Sequence, residues 1–217
     1  MSGVGEKADN SRQATSRGQT LAALTDRYDS GAYIANTPDW HASDAPWKAG
    51  KILRALEAQG ISPRTICDVG CGAGEILVQL QQRLPPGTRF IGFDTSETAI
   101  GLCKPKENPT LAFRKADFLA AETERYDLLM LLDVFEHVPD YLGFLEKLHT
   151  RARYFAFHIP LDINAVTLLL GSRYMMYMRR NFGHLHYFTK ETALATLEST
   201  GYRVLHGTSP GAYGPAR

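Results

Sequence analysis

Four apolar runs in succession close on glycine or an acid: RTICDVG (64–70), TRFIGFD (88–94), LAFRKAD (111–117) and RYDLLMLLD (125–133). A fifth, ARYFAFHIP, covers 152–160. Stretches of helical character separate them, among them EILVQLQQRL, ended by Pro85, Pro86 and Gly87, and SETAIGLCK. This alternation restricts the fold more than any other feature. Strands joined through helices form βαβ units, so neighbouring strands run parallel and both faces of the sheet are covered. The expected class is α/β, a doubly wound, mostly parallel sheet with helices on both faces. An amphipathic helix, WKAGKILRALEAQG (47–60), precedes the first strand, and TKETALATLESTG (189–201) with a sixth strand, YRVLHG (202–207), follows the fifth.

A chain of 217 residues provides one sizeable core and little beyond it. Residues 1–20 lack periodicity and read as a disordered tail, leaving 21–217 as a single domain. Within it, the aromatic, turn-rich segment 21–47, with Trp40 and His41, reads as an N-terminal lid. The net charge of +1 argues against a nucleic-acid or membrane surface as main partner. Cys67, Cys71 and Cys103 are too few for a disulfide framework and suit a reducing compartment. The polar N-terminus has no apolar stretch of signal-peptide type, so the cytoplasm is the expected location.

In open parallel sheets, ligands bind beyond the carboxyl ends of the strands. The first such end reads DVGCGAGE. Gly70, Gly72 and Gly74 let the backbone turn tightly and approach a ligand, and the helix starting near Glu75 directs free N–H groups at it. The spacing G-x-G-x-G is one residue short of the dinucleotide fingerprint, and Asp68 ahead of it favours a cationic ligand over a pyrophosphate. Asp94 ends the second strand, placed to accept from both ribose hydroxyls. Asp117 and Phe118 follow the third, offering a carboxylate for an adenine amino group and a ring for stacking.

In order and spacing, DVGCGAGE, GFDTS, KADF and YDLLMLLDVFEHV resemble the successive motifs of class I S-adenosylmethionine-dependent methyltransferases, over roughly residues 47–206. The resemblance implies a Rossmann-like, seven-stranded sheet with the adenosyl donor over the first two strand ends. Carried over, Asp68 and the three glycines face the methionine part, Asp94 holds the ribose, and Asp117 with Phe118 holds the adenine. Thr95 and Leu132 complete the donor contacts. The family's last, antiparallel strand has no counterpart in TSPGAYGPAR (208–217).

The fourth motif also resembles the ubiquinone-pathway O-methyltransferases and an uncharacterised bacterial group. In the former and in small-RNA 2′-O-methyltransferases, an acid followed at +3 and +4 by Glu and His helps hold a divalent metal, a spacing matched by Asp133, Glu136 and His137. Three readings stand: a metal lowers the acceptor's pKa, His137 takes its proton directly, or these residues are structural. His184, in GHLHYFT, is the second candidate imidazole, and Asp133 a third catalytic candidate. Segment 161–188 reads as a helical cap on the acceptor side with its Met and Tyr residues turned inward, rather than a membrane-contacting insertion over 161–180.

The activity expected is methyl transfer from S-adenosylmethionine to a small molecule, at oxygen, by in-line displacement. Alternatives are a 2′-O-methyltransferase of RNA ends, disfavoured by the charge balance, and a non-catalytic partner subunit.

Overall fold

The computed structural model describes residues 42–207. The expected tail (1–20), most of the lid and the stretch 208–217 lie outside the described residues.

Five parallel strands form one sheet: β1 (Thr65–Val69), β2 (Arg89–Asp94), β3 (Leu111–Lys115), β4 (Tyr126–Leu132) and β5 (Ala152–His158), in the order β3-β2-β1-β4-β5. Central strands of a parallel sheet are covered on both faces, which is why β4 reads as an unbroken apolar run. Its residues alternate between two cores. Leu128 and Met130 join Ile52, Leu56, Leu77 and Leu80 on one face. Leu129 and Leu131 join Phe93, Phe118 and Leu148 on the other. Asp127 fixes the start of the β1–β4 pair, its Oδ2 accepting from the backbone N–H of Arg64 (2.8 Å) and Thr65 (3.0 Å).

Helix α1 (Ala45–Ala58) precedes β1, and the crossovers carry α2 (Glu75–Gln81), α3 (Glu97–Cys103), α4 (Phe118–Ala121) and α5 (Tyr141–Leu148). Pro46 begins α1 with the fixed φ a first turn needs. Ser96 caps α3 and Asp140 caps α5, each accepting from an amide of the first turn. After β5 come α6 (Ala165–Leu170), α7 (Ser172–Asn181) and α8 (Lys190–Ser199), the last capped by Thr189. A third core cluster of Phe135, Leu145, Phe188, Ala193, Leu197 and Tyr202 seats α8. No helix of the described residues is long and apolar enough to cross a membrane.

Two expectations are corrected. Tyr202–Gly207 forms no sixth strand. The Tyr202 ring instead enters the third core, donating to Leu145 O at 2.7 Å and meeting Phe155 and Phe157 edge-on, so the chain crosses the face of β5 instead of running beside it. The cap consists of two helices but turns only part of its Met and Tyr residues inward: Tyr174, Met175 and Met178 are half-buried, with the Tyr174 hydroxyl donating to Asp162 Oδ1 at 3.3 Å, whereas Met176 and Tyr177 are exposed. No α7 residue is buried, and Leu169 of α6 is 89% exposed.

Candidate active site

With β1 between β2 and β4, the connection order reverses at the β1–β4 boundary, and a crevice opens beyond the carboxyl ends of those strands. Three left-handed glycines take the chain from β1 into α2: Gly70 (φ 76°), Gly72 (φ 54°) and Gly74 (φ 79°). Contact forces the choice as much as conformation does. A Cβ on Gly70 would lie 2.7 Å from Val134 Cγ2, and one on Gly74 would lie 2.5 Å from the Phe113 ring. The turn is tied to β2: Gly70 and Cys71 donate to Phe93 O at 2.7 and 3.0 Å, and Gly72 donates to Asp94 Oδ2 at 2.9 Å. Asp94 Oδ1 accepts from Ser96 N, so the carboxylate that ends β2 also organises the loop around it.

A cavity of about 380 Å³ lies over these ends, within the ~300–1,000 Å³ range of small-molecule sites. Gly70, Gly72, Gly74, Asp94 and Thr95 line one end, Asp117 and Phe118 the side, and Leu132, Asp133 and His137 the far end. Phe118 is 2% exposed and held edge-on by Phe93 at 5.2 Å, so it is a fixed wall of the cavity. Asp117 caps α4 through Oδ1. Asp68 is not among the lining residues; its carboxyl is buried beneath the turn with Oδ1 lacking a hydrogen-bond partner among the described residues. Burial, reinforced by the Asp94 charge, pushes its pKa up to about 8 against the pull of Lys48.

Asp133 leaves β4 at φ 58°, a left-handed backbone costing a non-glycine residue about 1–2 kcal/mol. Its surroundings hold it there. The Asp133 amide donates to His158 O at 3.0 Å, Oδ2 accepts from Lys48 Nζ at 2.6 Å, and Oδ1 meets His158 Nδ1 at 2.5 Å. Burial opposes the Asp133 charge, but His158 and Lys48 outweigh it and hold the carboxyl well below the usual carboxylate range.

The structure therefore separates Asp133 from Glu136 and His137, with which the metal reading would have grouped it. Glu136 and His137 lie in a 3-10 turn (Phe135–His137), and the third ligand-type side chain near them is His184. One ligand atom from each falls within 4.8 Å of the others. Asp162 Oδ2 contacts His184 Nδ1 at 2.6 Å in a buried pair, and a carboxylate only accepts, so Nδ1 carries the hydrogen and, in the neutral ring, Nε2 presents a lone pair. Glu136 is fully buried and neither carboxyl oxygen has a hydrogen-bond partner among the described residues. Burial, then the charges of Asp133 and Asp162, raise its pKa well above the ordinary value. A buried carboxyl in this condition calls for a proton or a cation. Two imidazoles and one carboxylate suit a divalent transition metal better than Mg²⁺, which prefers oxygen ligands. His186 serves the loop instead, its Nε2 contacting Val138 O at 2.9 Å.

Lys48 had a signal in the sequence that the motif reading passed over. It stands at i, i+4, i+8 with Ile52 and Leu56, on the buried face of α1, and a lysine at a core position implies a specific anion.

A family model described as a methyltransferase domain matches residues 41–207. The ubiquinone biosynthesis O-methyltransferase of Nitrosomonas europaea is 33% identical over 87 residues, 37% of this chain and 36% of that protein. The match thus spans little more than a third of that relative's length. The protein of the same description from Methylobacterium sp. is 27% identical over 171 residues, 74% of this chain and 68% of its own. Among solved structures, magnesium protoporphyrin IX methyltransferase from Synechocystis PCC 6803, with bound S-adenosylhomocysteine, superposes with a TM-score of 0.56 at 21% identity, covering 72% of each chain.

Proposed function

The chain belongs to the class I S-adenosylmethionine-dependent methyltransferases, and from that premise we propose that it transfers the donor's methyl group to an oxygen of a small-molecule acceptor. One observation carries the reading. A single cavity gathers the glycine turn, Asp94, Thr95, Asp117 and Phe118 at the donor end and reaches Leu132, Asp133 and His137 at the other. Oxygen as the receiving atom is supported by relatives described as O-methyltransferases. A net charge of +1 supports a small molecule over RNA.

In this reading Asp94 accepts from the ribose hydroxyls through the lone pairs its loop amides leave, Asp117 takes the adenine edge, and Phe118 bounds the base. The acceptor oxygen attacks the sulfonium methyl in line: the new C–O bond forms as the C–S bond breaks, and the electron pair stays on sulfur. The chain's task is proximity and removal of the hydroxyl proton. His137 lines the cavity beside His184, their ring centroids 5.1 Å apart, and His184 Nε2, oriented through Asp162, is equipped to receive that proton. Alternatively, Glu136, His137 and His184 would hold a divalent cation, which would lower the pKa of an acceptor hydroxyl while occupying the His184 Nε2 lone pair, so the two roles of His184 exclude each other. Segment 161–188 acts as the acceptor-side cap. Its exposed Val166, Leu168, Leu169 and Leu170, with Arg173 nearby in sequence, also favour contact between the cap and a lipid surface.

Calorimetric titration with S-adenosylhomocysteine, repeated with Mn²⁺ and after chelation, tests the reading. Micromolar binding lost in Asp94→Ala is the expected result. No heat from a folded sample would overturn it.

A further inference from the structure

A second and larger cavity, about 690 Å³, lies on the opposite side of Lys48 from the first and follows the outer edge of β5 between α1 and α8. β5 pairs with β4 on one side, and among the described residues no strand pairs with it on the other. It is seven residues long, without proline or glycine, and from Tyr154 to His158 it is half-buried. Native sheets shield such edges, because a row of unpaired N–H and C=O groups is a template for another strand. Here the expected neighbour has gone elsewhere: Tyr202 turns its segment onto the face of the sheet, and Arg203–Gly207 forms the rim of the groove instead of its floor.

Two demands define what fits. The floor is apolar, from Leu56, Leu128, Tyr154, Ala156 and Leu197. The rim is cationic. Lys51, Arg125, Arg153, Lys190 and Arg203 line the groove, whereas no Asp or Glu among the described residues does. None of the five forms a salt bridge among the described residues; the sixth basic lining residue, Lys48, is committed to Asp133. In a chain of net charge +1 this is a marked local excess.

We infer that the outer edge of β5 is a docking groove for an extended acidic segment of another protein, which adds to the sheet as a strand. An extended chain is the ligand form that satisfies backbone donors and acceptors along the edge and also places alternate side chains on the apolar floor. A small apolar ligand would fill the floor and leave the edge unpaired. A second copy meeting this one edge to edge would set the same five cations against themselves. Residues 208–217 have no acid and two prolines, and residues 1–41 balance their acids with nearly as many Lys and Arg, so neither segment matches the charge of the groove. The inference does not rest on the proposed transfer reaction.

The test uses the full 217-residue chain and a fluorescein-labelled peptide alternating valine and glutamate, about eight residues long to span β5 at ~3.3 Å per residue. Fluorescence anisotropy reads the affinity, and hydrogen exchange reads the amides of 153–158. Saturable binding is expected, with slowed exchange in β5, a loss of about tenfold or more in the Lys51→Glu/Arg203→Glu double variant, and no binding by a backbone N-methylated peptide. Arg153→Glu serves if the double variant melts early. Equal binding by the N-methylated or a valine–lysine peptide would reduce the effect to adsorption and overturn the inference. Absence of peptide binding, competition in which oleate alone occupies the groove, or β5 amides already protected in the free chain would overturn it too.

Discussion

Replacing Asp68 by asparagine should make the protein more stable, by an amount that grows with pH. Asp68 is the penultimate residue of the central strand, at 1% exposure. Its folded-state pKa is about 8 against an ordinary 3.8, chiefly through burial and then through the Asp94 charge. For a carboxyl raised in the folded state, the neutral form is the one folding favours. The associated stability is fully present below pH 3.8 and is lost as pH rises through 8. At ~1.4 kcal/mol per pH unit, the whole interval corresponds to about 6 kcal/mol at most. Asparagine keeps the shape and does not ionise. The stability difference between variant and parent should therefore climb by about 1 kcal/mol per unit from pH 5 to 8 and level off above. Urea unfolding followed by circular dichroism, with unchanged m, measures it. Parallel stability curves for the two proteins would refute the reasoning. Binding of a donor whose ammonium approaches Asp68 should release a proton at neutral pH in the parent and not in the variant.

Gly74→Ala meets both the left-handed φ and the Phe113 ring at 2.5 Å; strain of ~1–2 kcal/mol and overpacking of ~1–3 kcal/mol should lower Tm measurably by calorimetry. Lys48→Met leaves the Asp133 carboxylate with His158 as its side-chain partner among the described residues, at a cost of about 3 kcal/mol in urea unfolding, less if water enters. Glu136→Gln removes one of three ligand-type side chains, so Mn²⁺ retained after desalting, read by mass spectrometry, should fall at least about tenfold while S-adenosylhomocysteine still binds. Leu169→Glu should reduce co-sedimentation with anionic vesicles by about tenfold; unchanged sedimentation would leave the cap as a purely acceptor-side element.

The sheet was legible because its strands are written as apolar runs at βαβ spacing, and β1 to β5 fall where RTICDVG, TRFIGFD, LAFRKAD, RYDLLMLLD and ARYFAFHIP placed them. Side chains fixed by strand ends were legible for the same reason: Asp94, Asp117 and Asp133 emerge at carboxyl ends whatever the loops do. Long-range choices were not. Whether Asp133 turned toward Glu136 or toward Lys48 and His158 depends on α1 and β5, 85 and 25 residues away. YRVLHG has the composition of a strand, yet one aromatic anchor, Tyr202, redirects it, which propensity within the segment does not encode. The cap was legible in part, since Met and Tyr suggest burial but nothing local decides that Tyr174, Met175 and Met178 meet protein while Met176 and Tyr177 do not.

The turn bearing Glu136 and the loop bearing His184 are latched through the backbone: Glu136 O accepts from Leu185 N at 2.8 Å and from His186 N at 3.2 Å. Side-chain chemistry at one point of the fold thus comes from two segments that meet only when the cap segment is seated. Undocking the cap removes one imidazole from the other two groups and frees the turn in the same event, so cap opening and disassembly of the cluster are one cooperative unit. Anything gripping all three side chains adds its binding free energy to the closed form. Occupancy of the cluster should therefore be audible at a distance, as slowed proteolysis within α6 and α7, whose exposed surface touches none of it.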